Sequence, residues 1–347
     1  MDMEEYREYT ARKYFIGLVI LLFLILTAIY ALSAGAYPLS ISEVLSTLFG
    51  AGSTNSHLIV WDIRLPRIMA AILVGSSLAI AGAVMQGFLK NPLATPFTMG
   101  VSHGAMFGAS LAILIGAGYA ESSGRIFLNN PYAVVLFAFA GAISATVVIL
   151  LLARLRGLSP EAMILAGVSM SSLFVALTTL IQYFANELQL AAMVYWSFGD
   201  LGRATWREDG ILLLVFSAAF GYFIITGWDL NATQMGDEIA KSLGVEVERV
   251  RLIGTLLASL LTAVSVAFVG VIGFIGLIAP HAMRLIVGGD YRFLTPLSAL
   301  TGALLLLTAD TVARLAFSPM TLPVGVVTSF LGAPAFLYLL VRMEGQR

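Results

Sequence analysis

Six long apolar runs without a charged residue constrain this chain more than any other feature. The runs cover residues 14–32, 68–85, 132–153, 211–225, 252–269 and 297–308. The hydrocarbon core of a bilayer is about 30 Å thick, and a helix that rises ~1.5 Å per residue needs about 20 apolar residues to cross it. Several runs reach that length and others approach it, so the sequence predicts a protein that spans a membrane repeatedly.

The composition agrees with a membrane protein and argues against several other classes. Hydrophobic residues make up 59% of the 347 residues and charged residues only 11%, whereas soluble domains carry about 25% charged residues. A net charge of −1 offers no basic field for nucleic acid. The absence of cysteine excludes disulfides and thiolate metal sites. With three scattered histidines, we expect neither a bound metal nor a cofactor.

The apolar segments predict an all-α fold with about ten transmembrane helices in a single domain of residues 1–347. The spans are expected at residues 14–34, 66–87, 95–117, 131–153, 160–184, 210–228, 250–270, 274–288, 295–316 and 324–342. The first is a retained helix rather than a signal peptide, because its apolar run exceeds the ~7–15 residues of a cleaved segment. The eighth carries Pro280, which predicts a broken or protein-covered helix. An amphipathic or re-entrant piece is expected at residues 190–205.

The distribution of basic residues predicts the orientation. An even number of spans places both termini on one side, and most lysines and arginines fall on that side. Because cytoplasmic loops carry an excess of Lys and Arg, we expect both termini in the cytoplasm and the protein in the cell membrane. The opposite side receives a minority of arginines, namely Arg64, Arg67, Arg125, Arg203, Arg207 and Arg314.

Residues 229–249 form the one long polar loop on the predicted cytoplasmic side. The pattern predicts two short helices separated near Gly244, a segment too short for an enzyme domain and of the right size for a docking element. The chain contains no G-x-x-x-x-G-K-[ST] phosphate loop and no other catalytic signature. We therefore expect a protein that is not an enzyme and that takes its energy from a partner or from an ion gradient.

The arginines on the outer side allow two interpretations. Arg64 and Arg67 either snorkel to lipid headgroups or form a basic patch for an acidic partner. Asp310 and Arg314 lie four residues apart in one span, where an ion pair would lower the cost of both charges in a membrane. Arg314 lies near the outer end and could instead join Arg64 and Arg67.

Two further motifs also allow a structural and a functional interpretation. Asn91 and Leu93 lie in a proline-flanked segment, which is either a plain turn or the constriction of a pathway. His281 follows a glycine-rich segment. It is a better candidate for a hydrogen-bonded structural residue than for a metal ligand, because no second ligand is near it in sequence.

Seven motifs in a fixed order resemble one family. The motifs are R-x-P-R, Q-x-x-x-x-N-P-L-A-x-P, G-D-E-x-A-x-x-L-G-V, G-F-x-G-L-I-x-P-H-x-x-R, A-D-x-x-A-R, L-P-V-G and G-x-P-x-F. Together they resemble the permease subunit of the type II ABC importers for ferric siderophores, haem and vitamin B12. The match runs from about Arg64 to Phe336, and although each motif alone is weak, seven in order are specific.

The resemblance implies a ten-helix permease that works as a homodimer with one pathway between the subunits. Two ATP-binding subunits would sit on the cytoplasmic face, and an extracytoplasmic substrate-binding protein would dock outside. Carried over by position, the docking arginines are Arg64, Arg67 and Arg314. The coupling helices on the ATPases would centre on Gly236, Asp237, Glu238, Ala240, Leu243 and Gly244. The cytoplasmic gates would be Asn91 and Leu93, then Pro160 and Glu161, where the vitamin B12 permease has small hydroxyl residues.

The sequence therefore predicts a permease that moves an iron chelate into the cytoplasm with ATP hydrolysed by its partners. Cobalamin or haem import by the same architecture is the first alternative. A secondary transporter driven by an ion gradient is the second, and it would need an acidic residue near mid-bilayer, for which Asp310 is the candidate.

Overall fold

The computed structural model describes residues 3–116, 120–122, 125–127, 131–318 and 320–344. Helices dominate, and two short strands, β1 (Ala120–Ser122) and β2 (Arg125–Phe127), form an antiparallel hairpin. The helices are α1 (Met3–Ser33), α2 (Ile41–Leu48), α3 (Thr54–His57), α4 (Leu65–Phe88), α5 (Val101–Leu114), α6 (Pro131–Arg154), α7 (Pro160–Phe184), α8 (Glu187–Ser197), α9 (Trp206–Ile225), α10 (Gly227–Gln234), α11 (Asp237–Ser242), α12 (Val247–Val269), α13 (Ile275–Val287), α14 (Tyr291–Leu315) and α15 (Val324–Glu344). A π-helical segment, Leu58–Arg64, leads into α4, and a 3-10 turn, Leu201–Arg203, precedes α9.

Ten apolar helices in the described part of the chain correspond in order to the ten predicted spans. Seven have the length and composition to cross a membrane, with α3, the π-helical segment and α4 counted as one span. The other three, α5, α13 and α15, contribute shorter apolar stretches. The prediction of an all-α, multi-pass membrane protein is therefore confirmed.

The third span is shorter than the sequence predicts, and the eighth is about as short as the sequence predicts. The third, expected at residues 95–117, is helical only from Val101 to Leu114, and residue 117 lies outside the described residues. Reciprocal hydrogen bonds between Thr95 and Thr98 hold the preceding segment in turns. The eighth is the short helix α13, which follows the non-helical residues 270–274. The piece expected at residues 190–205 becomes α8 and the 3-10 turn.

Helix α4 is the centre of the bundle and is buried along almost its whole length. Glycines bring its backbone against two neighbouring helices. A Cβ on Gly75 would lie 2.4 Å from the carbonyl oxygen of Gly302 in α14, and one on Gly82 would lie 1.8 Å from that of Gly276 in α13. Any side chain at these positions would force the helices apart, so glycine is required for this packing.

The bundle has two polar ends, and α4 and α14 run in opposite directions between them. At the arginine end, Arg67 in the first turn of α4 contacts Asp310 near the end of α14. At the loop end, which carries residues 227–249, the hydroxyl of Tyr291 at the start of α14 donates to the carbonyl of Ala83 in α4, 2.9 Å away. Both polar ends therefore rest on the same pair of helices.

Helices α7 and α15 present apolar side chains that no other part of the described chain covers. On α7 the exposed residues include Leu165, Val168 and Tyr183, and Tyr183 retains 82% exposure. Phe330 and Leu331 are similarly exposed on α15. In a membrane protein such surfaces contact lipid or a second protein chain.

Candidate functional site

An ion cluster closes the arginine end of the bundle. The Asp310 carboxylate is fully buried, and it accepts hydrogen bonds from Arg67 Nε at 3.0 Å and Arg67 Nη2 at 2.8 Å. Arg314 Nε donates to the second oxygen of Asp310 at 3.2 Å. The pairing of Asp310 with Arg314 that the sequence predicts is therefore confirmed, and Arg314 also lies beside Arg67. Two cations therefore share the one buried carboxylate.

Arg64 is buried beside this cluster and faces neither lipid nor water. Its guanidinium donates to the backbone carbonyls of Leu32, Ser33 and Tyr37, with 3.1 Å to Ser33. These carbonyls belong to the end of α1 and the segment after it, where a helix leaves its last carbonyls without helical partners. Through these hydrogen bonds, Arg64 connects the end of α1 to the π-helical segment.

Asp200 forms the exposed edge of the cluster and is not signalled by any motif in the sequence. Its carboxylate lies 3.4 Å from Arg67 Nη2, and its side chain retains 32% exposure. Asp200 also caps the start of the 3-10 turn, because its carboxylate accepts a hydrogen bond from the backbone N–H of Gly202. Solvent and any partner that docks at this end can therefore reach the cluster beside Asp200.

The first predicted gate is a turn that lies directly after α4. The Asn91 side-chain oxygen accepts a hydrogen bond from the backbone N–H of Leu93 at 2.9 Å, which fixes the turn. The Leu93 side chain points away from the protein interior and remains exposed. The segment is therefore a turn, and a gate role for Asn91 and Leu93 stays a prediction.

The second predicted gate is the first turn of α7. Pro160 occupies the first helical position, and the Ser159 hydroxyl caps the helix by accepting from the backbone N–H of Ala162. Glu161 is exposed in this first turn, where a carboxylate interacts favourably with the helix dipole. A gate role for either residue stays a prediction.

The polar loop folds into α10 and α11, and the break between them differs from the prediction. The two helices are separated at Met235 and Gly236, not near Gly244. Gly236 has φ +119°, a conformation that side chains disfavour, and it therefore interrupts the helix. Gly244, with φ +85°, ends the second helix in the left-handed region. The expectation of two short helices is correct, but the position of the break was wrong.

The predicted coupling residues divide into an inner and an outer set. Ala240 is fully buried, and Asp237 binds Arg251 of α12 at 2.9 Å. Burial raises the pKa of Asp237, but the hydrogen bond and charge of Arg251, with nearby Lys90 and Lys241, outweigh burial and hold the pKa below its ordinary value. The pair is therefore intact at neutral pH and is lost only as the pH falls through that lowered pKa.

The outer set includes Glu238 and an exposed apolar row. The apolar row consists of Met235, Ile239 and Leu243, which are spaced four residues apart, and Leu243 retains 64% exposure. Ile239 and Leu243 lie in and at the end of α11, where a spacing of four places side chains on one side of the helix, and Met235 lies before the interruption at Gly236.

A second anchor ties α10 to α14 and is also absent from the sequence prediction. The Asn231 amide donates to Asp290 Oδ1 at 2.8 Å and accepts from the backbone N–H of Tyr291 at 2.8 Å. Asp290 caps the start of α14 through the backbone N–H of Arg292. The first loop helix is thereby fixed to the same helix that carries the ion cluster at its other end.

A cavity of about 810 Å³ opens between the loop after α4, the residues before α13 and the first turns of α15. None of its lining residues is charged. Phenylalanines (Phe97, Phe198, Phe274, Phe330) and hydroxyl residues (Thr95, Thr98, Ser197, Thr262, Ser329) supply much of the wall. Such a wall can pass a bulky solute without binding it tightly.

A multi-pass helical bundle with an uncharged cavity and a projecting helical loop is the architecture of a membrane transport permease. The chain belongs to the FecCD transport family, whose family model matches residues 21–342.

The relatives agree with this assignment. A Methanocaldococcus jannaschii protein named as an ABC transporter permease is 62% identical over 345 residues, with 99% of each chain covered. The vitamin B12 import system permease protein BtuC of Vibrio cholerae is 40% identical over 311 residues, which cover 90% of this chain and 91% of BtuC. A solved structure of an inward-facing, metal-chelate type ABC transporter superposes with a TM-score of 0.83 at 31% identity, covering 94% of this chain and 98% of that one.

Removal of the shared carboxylate should destabilise the fold. Asp310→Asn leaves the largely buried guanidinium of Arg314 without a counter-charge and leaves Arg67 with only the more exposed Asp200, and breaking a buried pair in this way costs about 3–5 kcal/mol. Thermal unfolding of the purified protein in detergent should show a clearly lower midpoint. Glu248→Gln, which breaks an exposed pair with Lys241, should leave the midpoint almost unchanged. Equal midpoints for the two variants would contradict a structural role for the cluster.

Proposed function

We propose that this chain is the membrane permease of an ABC importer and carries an iron chelate into the cytoplasm. Two ATPase subunits bind the loop end, which faces the cytoplasm together with both termini, and a binding protein delivers substrate to the arginine end. The permease has no catalytic role of its own, because ATP is hydrolysed on the partner subunits. Family membership and the relatives named as ABC permeases support this proposal.

The observation that carries the proposal is the apolar row on the projecting loop. Met235, Ile239 and Leu243 are exposed on a segment that leaves the apolar bundle. The inner residues of the same segment are anchored to the bundle by Asp237 and Asn231. A rigidly anchored element with an exposed apolar side is suited to seat in a groove of a soluble partner.

Two copies of the chain complete the pathway in this proposal. The exposed apolar sides of α7 and α15 supply a surface for a second copy, and the cavity borders α15. Symmetric pairing of one surface with itself is the commonest arrangement of homo-oligomers. The uncharged cavity would then lie beside the axis of the dimer.

The cavity favours a bulky solute with apolar surface and without a need for charged ligands. Its phenylalanine rings and hydroxyl groups offer weak contacts to an iron chelate. Cobalamin is the first alternative, since one relative is a vitamin B12 permease, and haem is the next. The uncharged lining does not distinguish between the three solutes, so the binding protein would select between them.

A transporter driven by an ion gradient is the second candidate, and one residue favours it. Such a transporter needs a membrane carboxylate without a fixed counter-charge, and Asp310 is held by two arginines. Asp209, in the first turn of α9, is buried and its carboxylate oxygens accept no hydrogen bond from the described residues. Solute uptake by vesicles that contain the chain alone and an ion gradient would support this candidate.

The apolar row supplies the test of the proposed function. Ile239→Glu combined with Leu243→Glu places charge on the docking surface and leaves the buried anchors intact. Co-purification of the ATPase subunits should fall about tenfold or more, because ~1.4 kcal/mol of lost affinity already changes binding tenfold. Glu248→Gln, on the exposed start of α12, is the control and should retain them. Full retention of the ATPase subunits by the double variant would refute the assignment of this loop.

The exposed edge of the ion cluster supplies a test of binding-protein docking. The docking role of Arg64, Arg67 and Arg314 is part of the proposal, and reversal of these arginines would disrupt buried contacts. Asp200→Asn instead removes the negative charge beside Arg67 and keeps an oxygen to cap the 3-10 turn.

The affinity of an acidic binding protein should therefore rise about 1.4-fold to fivefold at low salt, which corresponds to the ~0.2–1 kcal/mol of an exposed charge. The gain should vanish at high salt. Unchanged or weaker binding at low salt would argue against docking at the arginine end.

A further inference from the structure

Arg251, near the start of α12, is a buried cation that no motif explains. Its side chain retains 2% exposure. Nη2 donates to both carboxylate oxygens of Asp237, at 2.9 Å and 3.0 Å, and Nη1 donates to the backbone carbonyl of Leu158 at 3.1 Å. One guanidinium thus joins three elements: α12, the first residue of α11, and the loop between α6 and α7.

Asp237 has a second cation beside it. Its carboxylate lies 3.8 Å from the ammonium group of Lys90, the residue directly before Asn91. Leu158 lies two residues before Pro160. Asp237, Arg251, Lys90 and Leu158, named below as the hub, therefore connect the second loop helix to both segments that the sequence identifies as gates.

In each gate segment, the residue that belongs to the hub has a backbone conformation that is unusual for a residue with a side chain. Lys90 has φ +47° and Leu158 has φ +56°. Among the described residues other than glycine, Phe274 alone shares this feature. The left-handed conformation is unfavourable for such residues and persists only where the surroundings enforce it. Backbone hydrogen bonds of the turns that end α4 and α6, from the N–H of Asn91 to the Gln86 carbonyl and from the N–H of Leu158 to the Ala153 carbonyl, hold this conformation beside the hub.

We propose that the Asp237–Arg251 pair transmits movement of α11 to both cytoplasmic gate segments. This inference rests on the proposed function, in which ATPase subunits seat on α10 and α11. When the ATPases displace α11, Asp237 shifts, and the guanidinium that it shares with Leu158 shifts with it. The ammonium of Lys90 follows the same carboxylate. Arg251 and Asp237 are positioning residues here, since neither contacts the transported solute.

Arginine is needed at this position because its planar fork can serve two acceptors at fixed geometry. Nη2 binds the carboxylate and Nη1 reaches the Leu158 carbonyl. A lysine would keep the charge but could not hold both partners in one plane. Arg251→Lys is therefore a conservative change that separates the geometry of the hub from its charge.

The absence of cysteine from the chain allows a direct test with a single reporter. Leu93→Cys places one thiol on the exposed first gate turn. The permease is assembled with its ATPase subunits in lipid nanodiscs. The rate at which a hydrophilic maleimide labels the permease is then measured without nucleotide and after trapping with ATP and vanadate.

With the hub intact, the two labelling rates should differ by about fivefold or more, the lower end of typical coupling between sites. In Arg251→Lys the ratio should fall close to one, while the ATPase subunits still co-purify and hydrolyse ATP, and Asp237→Asn should lower the ratio to the same extent. The double variant should be no worse than either single variant, because both break one interaction. Glu248→Gln, which opens an exposed pair nearby, should leave the ratio unchanged.

A ratio that persists in both hub variants would overturn the proposal. Loss of the ATPase subunits from these variants would also overturn it, because the pair would then shape the docking surface rather than transmit movement. Equal labelling rates with the hub intact would refute both the hub and the gate assignment of Leu93. Failure of the proposed function itself is distinguishable, since the unsubstituted chain would then not co-purify with ATPase subunits at all.

Discussion

The close approach of α4 to α13 and α14 is the constraint on which the rest of the structure depends. In lipid there is little hydrophobic drive for helices to associate, so backbone packing between small residues must hold them together. Gly75 meets Gly302, and Gly82 meets Gly276, at separations that leave no room for a Cβ. This packing buries α4 almost completely, and the remaining helices arrange themselves around it.

The same helices carry both polar ends of the molecule. At the arginine end, Asp310 joins the start of α4 to the end of α14. At the loop end, Tyr291 and Asp290 join the start of α14 to α4 and to the first loop helix. Because α4 and α14 pack against each other along their length, we propose that a displacement of the loop is transmitted through them to the arginine end. The proposed hub around Arg251 would transmit the same displacement to the gate segments over a shorter distance.

The sequence predicts the helices better than it predicts the polar contacts. Apolar runs reveal spans because bilayer thickness sets their length, and the ordered motifs identify the family. The break at Gly236 was missed because both glycines of the loop are plausible interruptions and only tertiary contacts choose between them. Asp200 and Arg251 lie 133 and 14 residues from the side chains they bind, Arg67 and Asp237, and no local pattern marks such pairs. Burial of Arg64 likewise follows from the end of α1, which the sequence cannot place beside it.

The central claim is that ATP at the loop end and a binding protein at the arginine end act on one coupled body. The most direct measurement is the affinity of the binding protein for the reconstituted permease–ATPase complex with and without ATP, in a complex that cannot hydrolyse it. Thermodynamic linkage requires that the nucleotide affinity change by the same factor when the binding protein is present. The account predicts equal, reciprocal changes of about fivefold or more. Affinities that are independent of the other ligand, within error, would contradict it.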